Sequence, residues 1–527
     1  MNTSDASFAA AATALLGAIA LATAQTSPPL VFDTPPPASL KTVTVPEPPN
    51  LSDFVADKAA AIRLGKALFW DMQIGSDGAT ACASCHFSAG ADSRSKNQLS
   101  PGLLNRPDAD KTFSAGTGAN FHLTPEFFPL LQLLDETDRG SIATRDINDV
   151  VSSQGVFNGS FVDTAIIAGI PIESMQFLPD PDGFQAGNPL LNVRRVEPRH
   201  TPSVINAVFN HRQFWDGRAQ NEFNGVNNWG DRDPNAALYK VVGGKLTSVK
   251  VRLINSSLAS QAVAPIVNAL EMAAGGRTTA DLGNKLAKQQ GKKAKTLRPL
   301  AYQMVDKTDS VLGSLSNAPA PGLKIADYQT LIQAAFRKEW WQSTQVVSVT
   351  SDSKGNVISV KVLNKADKDP KTDEYSQLEY NFSLFFGLAI QLYQSTLVSN
   401  ETPYDTAPRQ CDGIIRGPAN TTDAMSNDLP CLPDNVMRGL KVFVSQDKVL
   451  PNGNRLTNEG ARCINCHAGA ALTDASIASA NLPWPSGTVT RKRENQFIDR
   501  GFSNIGVRRT LEDISVGGSD PFGTSMS

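Results

Sequence analysis

Apolar residues recur at helical spacing in two long stretches of the chain and alternate in a third. From about Asp53 to Trp70, Ala59, Ile62, Leu64, Leu68 and Phe69 fall at the intervals of an amphipathic helix. Residues 377–398 are denser: Phe382, Leu384, Phe385, Phe386, Leu388, Ile390, Leu392 and Leu397 leave little room for a polar face, which predicts a buried core helix. Residues 345–364 instead read Val346-Val347-Ser348-Val349, a polar turn from Ser351 to Asn356, then Val357-Ile358-Ser359-Val360-Lys361-Val362, the pattern of a β-hairpin. A short helical phrase occurs twice. Gly65-Lys66-Ala67-Leu68-Phe69 is echoed by Gly439-Leu440-Lys441-Val442-Phe443. Residues 87–195 are rich in Gly, Asp, Asn and Pro and predict long loops with short helices.

The N-terminal pattern is different again. Phe8 to Leu21 is an apolar, small-residue run of 14 residues, followed by Ala22-Thr23-Ala24 before Gln25. It is too short for the ~20 residues of a membrane helix, and residues 1–24 read as a cleaved secretory signal, although no Lys or Arg precedes the run. Residues 25–52 are proline-rich, through Pro28-Pro29, Pro35-Pro36-Pro37 and Pro48-Pro49, and read as an extended linker. No later stretch is apolar for long enough to predict a transmembrane segment. With 41% hydrophobic and 19% charged residues and a net charge of −2, the chain is ordinary globular protein, without the cationic field of a nucleic-acid binder.

Each copy of the helical phrase leads to the same five-residue chemistry. Cys82-Ala-Ser-Cys85-His86 follows the first and Cys463-Ile-Asn-Cys466-His467 the second. Cys-x-x-Cys-His is the attachment pattern of a c-type haem: the two sulfurs add to the haem vinyl groups and the adjacent histidine reaches the iron. Zinc half-sites or a redox dithiol are the rival readings. Zinc wants further Cys or His close by, and no other cysteine precedes Cys411; a redox dithiol does not require the histidine twice. Two covalent c-type haems therefore follow, on duplicated cytochrome c-like domains, and with them an extracytoplasmic, periplasmic location. The remaining cysteines, Cys411 and Cys431, suit a disulfide in that compartment.

Beyond the motifs, the stretch Arg199-His200-Thr201-Pro202 through Asn210, with Gln213-Phe214-Trp215-Asp216-Gly217-Arg218, resembles the bacterial di-haem cytochrome c peroxidase family, including methylamine-dehydrogenase maturation-type enzymes. Gln261-Ala262-Val263-Ala264-Pro265-Ile266, Glu271-Met272 and Asn504-Ile505-Gly506-Val507 extend the resemblance, which looks like the large-insert branch. It implies a mainly α protein of two cytochrome c-like haem domains, residues 53–405 and 406–527, the first carrying long insertions that include the hairpin. It implies reduction of hydrogen peroxide to water with electrons from a small cytochrome c or cupredoxin, and a homodimer. His86 would then bind the peroxide-reacting iron and His467 the electron-receiving one. Trp215 would couple the haems, and Gln261 and Glu271 would face the open side of the first. Glu271 suits a proton shuttle, while Arg199 and Arg218 suit haem propionates. Two alternatives stand beside this reading: peroxide-driven oxidation of another substrate, and a non-catalytic di-haem electron carrier.

The sequence departs from the family in three places. No histidine lies between residues 87 and 121 to cap the first iron, which leaves it open to peroxide or capped by His122. After His467 the only methionine is Met526 and no tyrosine follows, so the sixth ligand of the second haem is missing and the sequence reads as C-terminally truncated. A calcium ion often joins the family's domains through an asparagine. Here His200 stands in that position, and an imidazole is a poor ligand for a hard cation.

Overall fold

The computed structural model describes residues 36–94, 99–102, 113, 124–138, 140–167, 170–287, 297–351, 357–364, 373–408, 431–445, 448–449, 455–456, 460–480, 490–493, 496–499, 501–502, 509–513, 515–516 and 518–526. Its contacts separate two units, Thr42–Asn400 with Ala468–Ser527, and Met1–Lys41 with Glu401–His467.

The larger unit is organised by a few helices. Helix α1, Lys58–Trp70, starts where the Asp57 carboxylate accepts from the Ala60 N–H at 3.0 Å, satisfying one of the orphan donors of the first turn. Its Leu64, Ala67 and Leu68 are completely buried. They meet α5, Phe382–Gln394, all thirteen residues of which are buried, as the density of apolar residues there predicts. Gly65 sets how close the two helices come: a Cβ at that position would lie 1.9 Å from the Ala389 carbonyl oxygen. Helices α2, Ser257–Ala262, and α4, Tyr328–Ala335, add to the same core, the first through Ala259 and the second through Leu331, Ile332 and Ala335. Helix α3, Thr279–Leu286, lies between α2 and α4 in sequence and opens with a capping box of Thr278 and Asp281.

Around this core the chain makes small antiparallel sheets. Strand β1, Gly159–Ile167, pairs with β2, Ile170–Phe177. Strand β3, Leu238–Val242, turns back through Gly243-Gly244, both with positive φ, into β4, Lys245–Val249. A two-residue Gly-Gly turn of this kind matches the twist of a hairpin. Strand β5, Val346–Ser351, pairs with β6, Val357–Leu363, and on its other edge with β7, Glu374–Ser376. A buried cluster ties β2 to α3: Glu173 Oε1 accepts from Arg277 Nη1 at 2.6 Å and from Lys285 Nζ at 2.9 Å.

The expectation of a mainly α protein is overturned. Helix makes up 28% and strand 19% of the structure, with every sheet among the described residues two- or three-stranded. The physical reason lies in the long stretches between the helical segments. Their Gly, Pro and Asn residues favour turns, and between those turns β-branched runs such as Thr164-Ala165-Ile166-Ile167 close into hairpins rather than helices.

The smaller unit holds the second Cys-x-x-Cys-His motif. Its helix α6, Asp434–Val444, buries Met437 and Val444 against Leu432, Leu440, Phe443 and Ile464. Within this unit Asp405 accepts from Ser39 Oγ at 2.8 Å and from the Leu40 N–H at 3.0 Å, so the end of the proline-rich stretch is held by side-chain contacts. Cys431 is disulfide-bonded, and its expected partner Cys411 lies outside the described residues. Residues 1–24, His122 and Asn504 to Val507 also lie outside them. Among the described residues no helix is long and apolar enough to cross a membrane.

Candidate active site

The first motif is presented by α1. Past its end the chain turns into a single 3-10 turn, Cys82–Ser84, whose cap includes the Ala81 N–H donating to Ser84 Oγ at 2.9 Å. The His86 N–H donates to the Cys82 carbonyl at 3.0 Å, which folds the histidine back beside the two thiols. The Phe69 ring, from the last turn of α1, stands 6.2 Å from the His86 ring. The second motif repeats this arrangement inside its own unit. Cys463–Asn465 forms the same 3-10 turn, the His467 N–H donates to the Cys463 carbonyl at 2.9 Å, and Phe443 of α6 stands 6.4 Å from the His467 ring. The two helical phrases of the sequence thus end in equivalent local structures.

Beside the first motif is a cavity lined by both apolar and polar side chains, open to solvent on one side. Cys82, Cys85 and His86 form one part of its wall, and Gln261, Pro265 and Glu271 another. Arg199, Arg218 and Trp215 line it as well. Every residue predicted for the first haem site therefore reaches one cavity, whereas Cys463, Cys466 and His467 belong to the other unit.

The residues present fit a haem. Both thiols are free, and burial pushes each up to about 12. His86 Nδ1 lies 2.8 Å from the Gly90 carbonyl oxygen. A carbonyl only accepts, so Nδ1 carries the hydrogen and Nε2 keeps its lone pair for iron. Burial also lowers the pKa of His86, which favours the neutral, ligating form. No group of three or more His, Cys, Asp or Glu among the described residues is arranged to hold a bare metal ion. A porphyrin brings its own four nitrogens and asks only for an axial histidine and two anchoring sulfurs.

The polar side of the cavity is built on a tight turn. Asn268 heads it: its carbonyl accepts the N–H groups of Glu271, Met272 and Ala273, and its Oδ1 accepts that of Leu270 at 2.8 Å. Gly155 presses on this turn, where a Cβ would come within 2.2 Å of the Leu270 carbonyl oxygen and 2.4 Å of that of Glu271. Asn268 Nδ2 then donates to Glu271 Oε1 at 2.8 Å. It also reaches Glu197 Oε1 at 3.4 Å, a residue that lines the same cavity. Burial raises the pKa of Glu271 well above the carboxylate range, and the neighbouring Glu197 carboxylate adds to the rise against the pull of Arg218.

Sequence reasoning missed Glu197 and Asn268. The only local signal was their polarity inside otherwise apolar or proline-containing segments, and both sit where surface residues are equally common. Glu197 is placed by pairing of its segment with residues 153–156, through the Glu197 N–H to the Ser153 carbonyl and the bridge between Gln154 and Val196.

The two arginines are held by protein carboxylates. Arg199 donates to Asp216 at 2.6 Å and to Asp513 at 2.7 Å, and Arg218 donates to Asp216 at 2.7 Å. Arg218 also stacks over the Phe214 ring, 3.8 Å from its centroid. The Trp215 indole N–H donates to the His200 carbonyl at 2.8 Å, while its ring is 61% exposed. Met526 is buried within the larger unit, with its sulfur 3.6 Å from Arg232 Nη1.

No curated protein and no solved structure matches the chain. A family profile described as di-haem cytochrome c peroxidase matches residues 59–130 and 175–412. Those spans contain α1, the first Cys-x-x-Cys-His motif and the whole polar wall from Glu197 to Glu271; they pass over residues 131–174, where β1 and most of β2 lie, and end before the second motif. More than half of the sequence is covered, including most of the residues that line the cavity, and the chain belongs to the di-haem cytochrome c peroxidase family.

Proposed function

We propose that this protein reduces hydrogen peroxide to water with electrons from a small redox protein, a cytochrome c or a cupredoxin. Cys82 and Cys85 would anchor one haem and His86 would bind its iron, and Cys463, Cys466 and His467 would hold a second. The first haem supplies an iron that exchanges electrons with peroxide. Electrons would enter at the haem held by His467, and Trp215 would couple it to the haem held by His86. Covalent attachment of haem supports a periplasmic location.

One observation carries the reading: a carboxyl whose proton is retained well above the usual range, Glu271, lines the same cavity as His86. Splitting peroxide requires a proton to leave one oxygen and another to reach the departing oxygen, and a held carboxyl does this in place of water. Asn268 fixes the orientation of the Glu271 carboxyl through Oε1. Gln261 offers an amide to hold the peroxide. The buried ion triad of Arg199, Asp216 and Arg218 stiffens the wall that carries Trp215.

The haem-loaded protein is expected to oxidise a reduced small cytochrome c in step with peroxide consumption, and to stop when the donor is exhausted. Glu271→Gln should slow the consumption by roughly 10²-fold with both haems still attached. Peroxide consumption without donor oxidation would instead point to another oxidisable substrate, and loss of neither rate in Glu271→Gln would remove this residue from the chemistry.

A further inference from the structure

We infer that Glu197 and Glu271 work as one acid pair, holding a single proton between them under the clamp of Asn268, with Glu197 as the second proton-transfer group of the site. The inference rests on the peroxide-reducing reading and extends it to a residue that no motif marks.

The geometry comes first. A single side-chain nitrogen, Asn268 Nδ2, reaches Oε1 of both carboxyls, at 2.8 Å for Glu271 and 3.4 Å for Glu197. An amide N–H₂ has two hydrogens, one for each acceptor. The shared donor brings the two carboxyls together, and the Glu197 carboxylate favours retention of the Glu271 proton. Both line the cavity that His86 enters. The charged groups facing Glu271 are Glu197, which favours retention of the proton, and Arg218, which opposes it; Cys82 and Cys85 also face it, and cease to titrate once bonded to haem. Two carboxylates gathered on one amide donor do not both ionise readily, so the proton belongs to the pair.

A pair solves a problem that one carboxyl leaves open. A protonated Glu271 can give a proton to the departing oxygen but cannot first take one from the near oxygen, whereas an ionised one must take that proton before it has any to give, so a lone carboxyl works in sequence and only from its ionised form. With one proton over two carboxyls, the ionised member takes the proton of the near oxygen while the protonated member supplies the far oxygen. As the O–O bond breaks, the far oxygen leaves as water with the bonding electron pair, and the pair again holds one proton. The two electrons that the near oxygen then lacks would come from the redox donor through the haem that the cavity would hold, and with two protons from solvent they complete the second water.

The test is a pH profile with an infrared companion, on the haem-loaded protein. Wild type should keep a protonated-carboxyl infrared band well above the ordinary carboxylate range. Glu197→Gln should move the loss of that band, and the alkaline limb of peroxide consumption, to lower pH by about one unit or more, because the repelling charge is gone. Glu197→Asp, which restores an acid, should bring the limb back toward wild type. An unmoved band and limb in Glu197→Gln would overturn the pair while leaving the peroxidase reading intact. If Glu197→Gln does not load haem, the wild-type band decides: its absence above the ordinary range overturns the pair. Absence of peroxide consumption by wild type, with the band present, would count against the peroxidase reading and not against the shared proton.

Discussion

Asp216 is the residue on which the polar wall turns. Its side chain is fully buried and accepts from both Arg199 and Arg218. Burial alone would raise its pKa, but the Arg218 and Arg199 charges outweigh it and hold the carboxyl below the usual range. A carboxyl lowered in the folded state adds stability above its unfolded pKa, near 4, and that stability is lost as pH falls through the folded value. Asp216→Asn takes the carboxylate from Arg218 and leaves Arg199 with Asp513 alone, and should cost about 3 kcal/mol at neutral pH. Its thermal midpoint should also fall less steeply than that of wild type on acidification, which a melting series from neutral to acid pH will show. The same scale explains what sequence could and could not reveal. Glu271 was legible because it follows Gln261 and Pro265 in a recognisable order. Glu197 and Asn268 were not, because their meaning is a shared hydrogen-bond donor that only the folded turn creates.

At the scale of elements, the two copies of Gly-x-x-apolar-Phe are equal in sequence and unequal in packing. Each places its phenylalanine beside the motif histidine. Gly65, however, lies against the backbone of α5, while a Cβ on Gly439 would meet nothing within 4 Å. Gly65→Ala should therefore force α1 and α5 apart and destabilise the larger unit by roughly 1–3 kcal/mol, more than the helix propensity gained. Gly439→Ala should be neutral or stabilising by up to about 1 kcal/mol. Parallel unfolding curves test both; equal losses would remove close helix packing as the reason for Gly65. Helical period disclosed α1 and α5, because burying a face leaves a mark every three or four residues. The short hairpins were harder to see. Two-stranded sheets need only a few β-branched residues and a turn, and β1 and β2 carry exposed apolar side chains such as Val162, Ile167 and Phe177 that blur the alternation.

Over the whole molecule, the prediction is a count. Protein matured in a host that attaches c-type haem should carry two haems per chain, measured by mass and by haem absorbance. Replacing Cys463 and Cys466 with alanine should reduce the count to one and abolish oxidation of the small donor. Replacing Cys82 and Cys85 should reduce it to one and abolish peroxide consumption. A count of two in either double variant would show that the motif does not anchor the group.

What the sequence determined by itself is chemistry that lies within a few bonds: two sulfurs and a histidine in five residues, a helix leading to each set, and a glutamate in a familiar order. Such signals survive because covalent attachment and helical period are local. What only the tertiary structure decided is which of these residues share a space, and how the rest of the chain surrounds them. The balance of helix and small sheet, the seat of Gly65 against α5, and the meeting of Glu197 with Glu271 under Asn268 all depend on segments far apart in the chain. Their free energy comes from packing and from burial of charge, and neither is written in any one stretch of sequence.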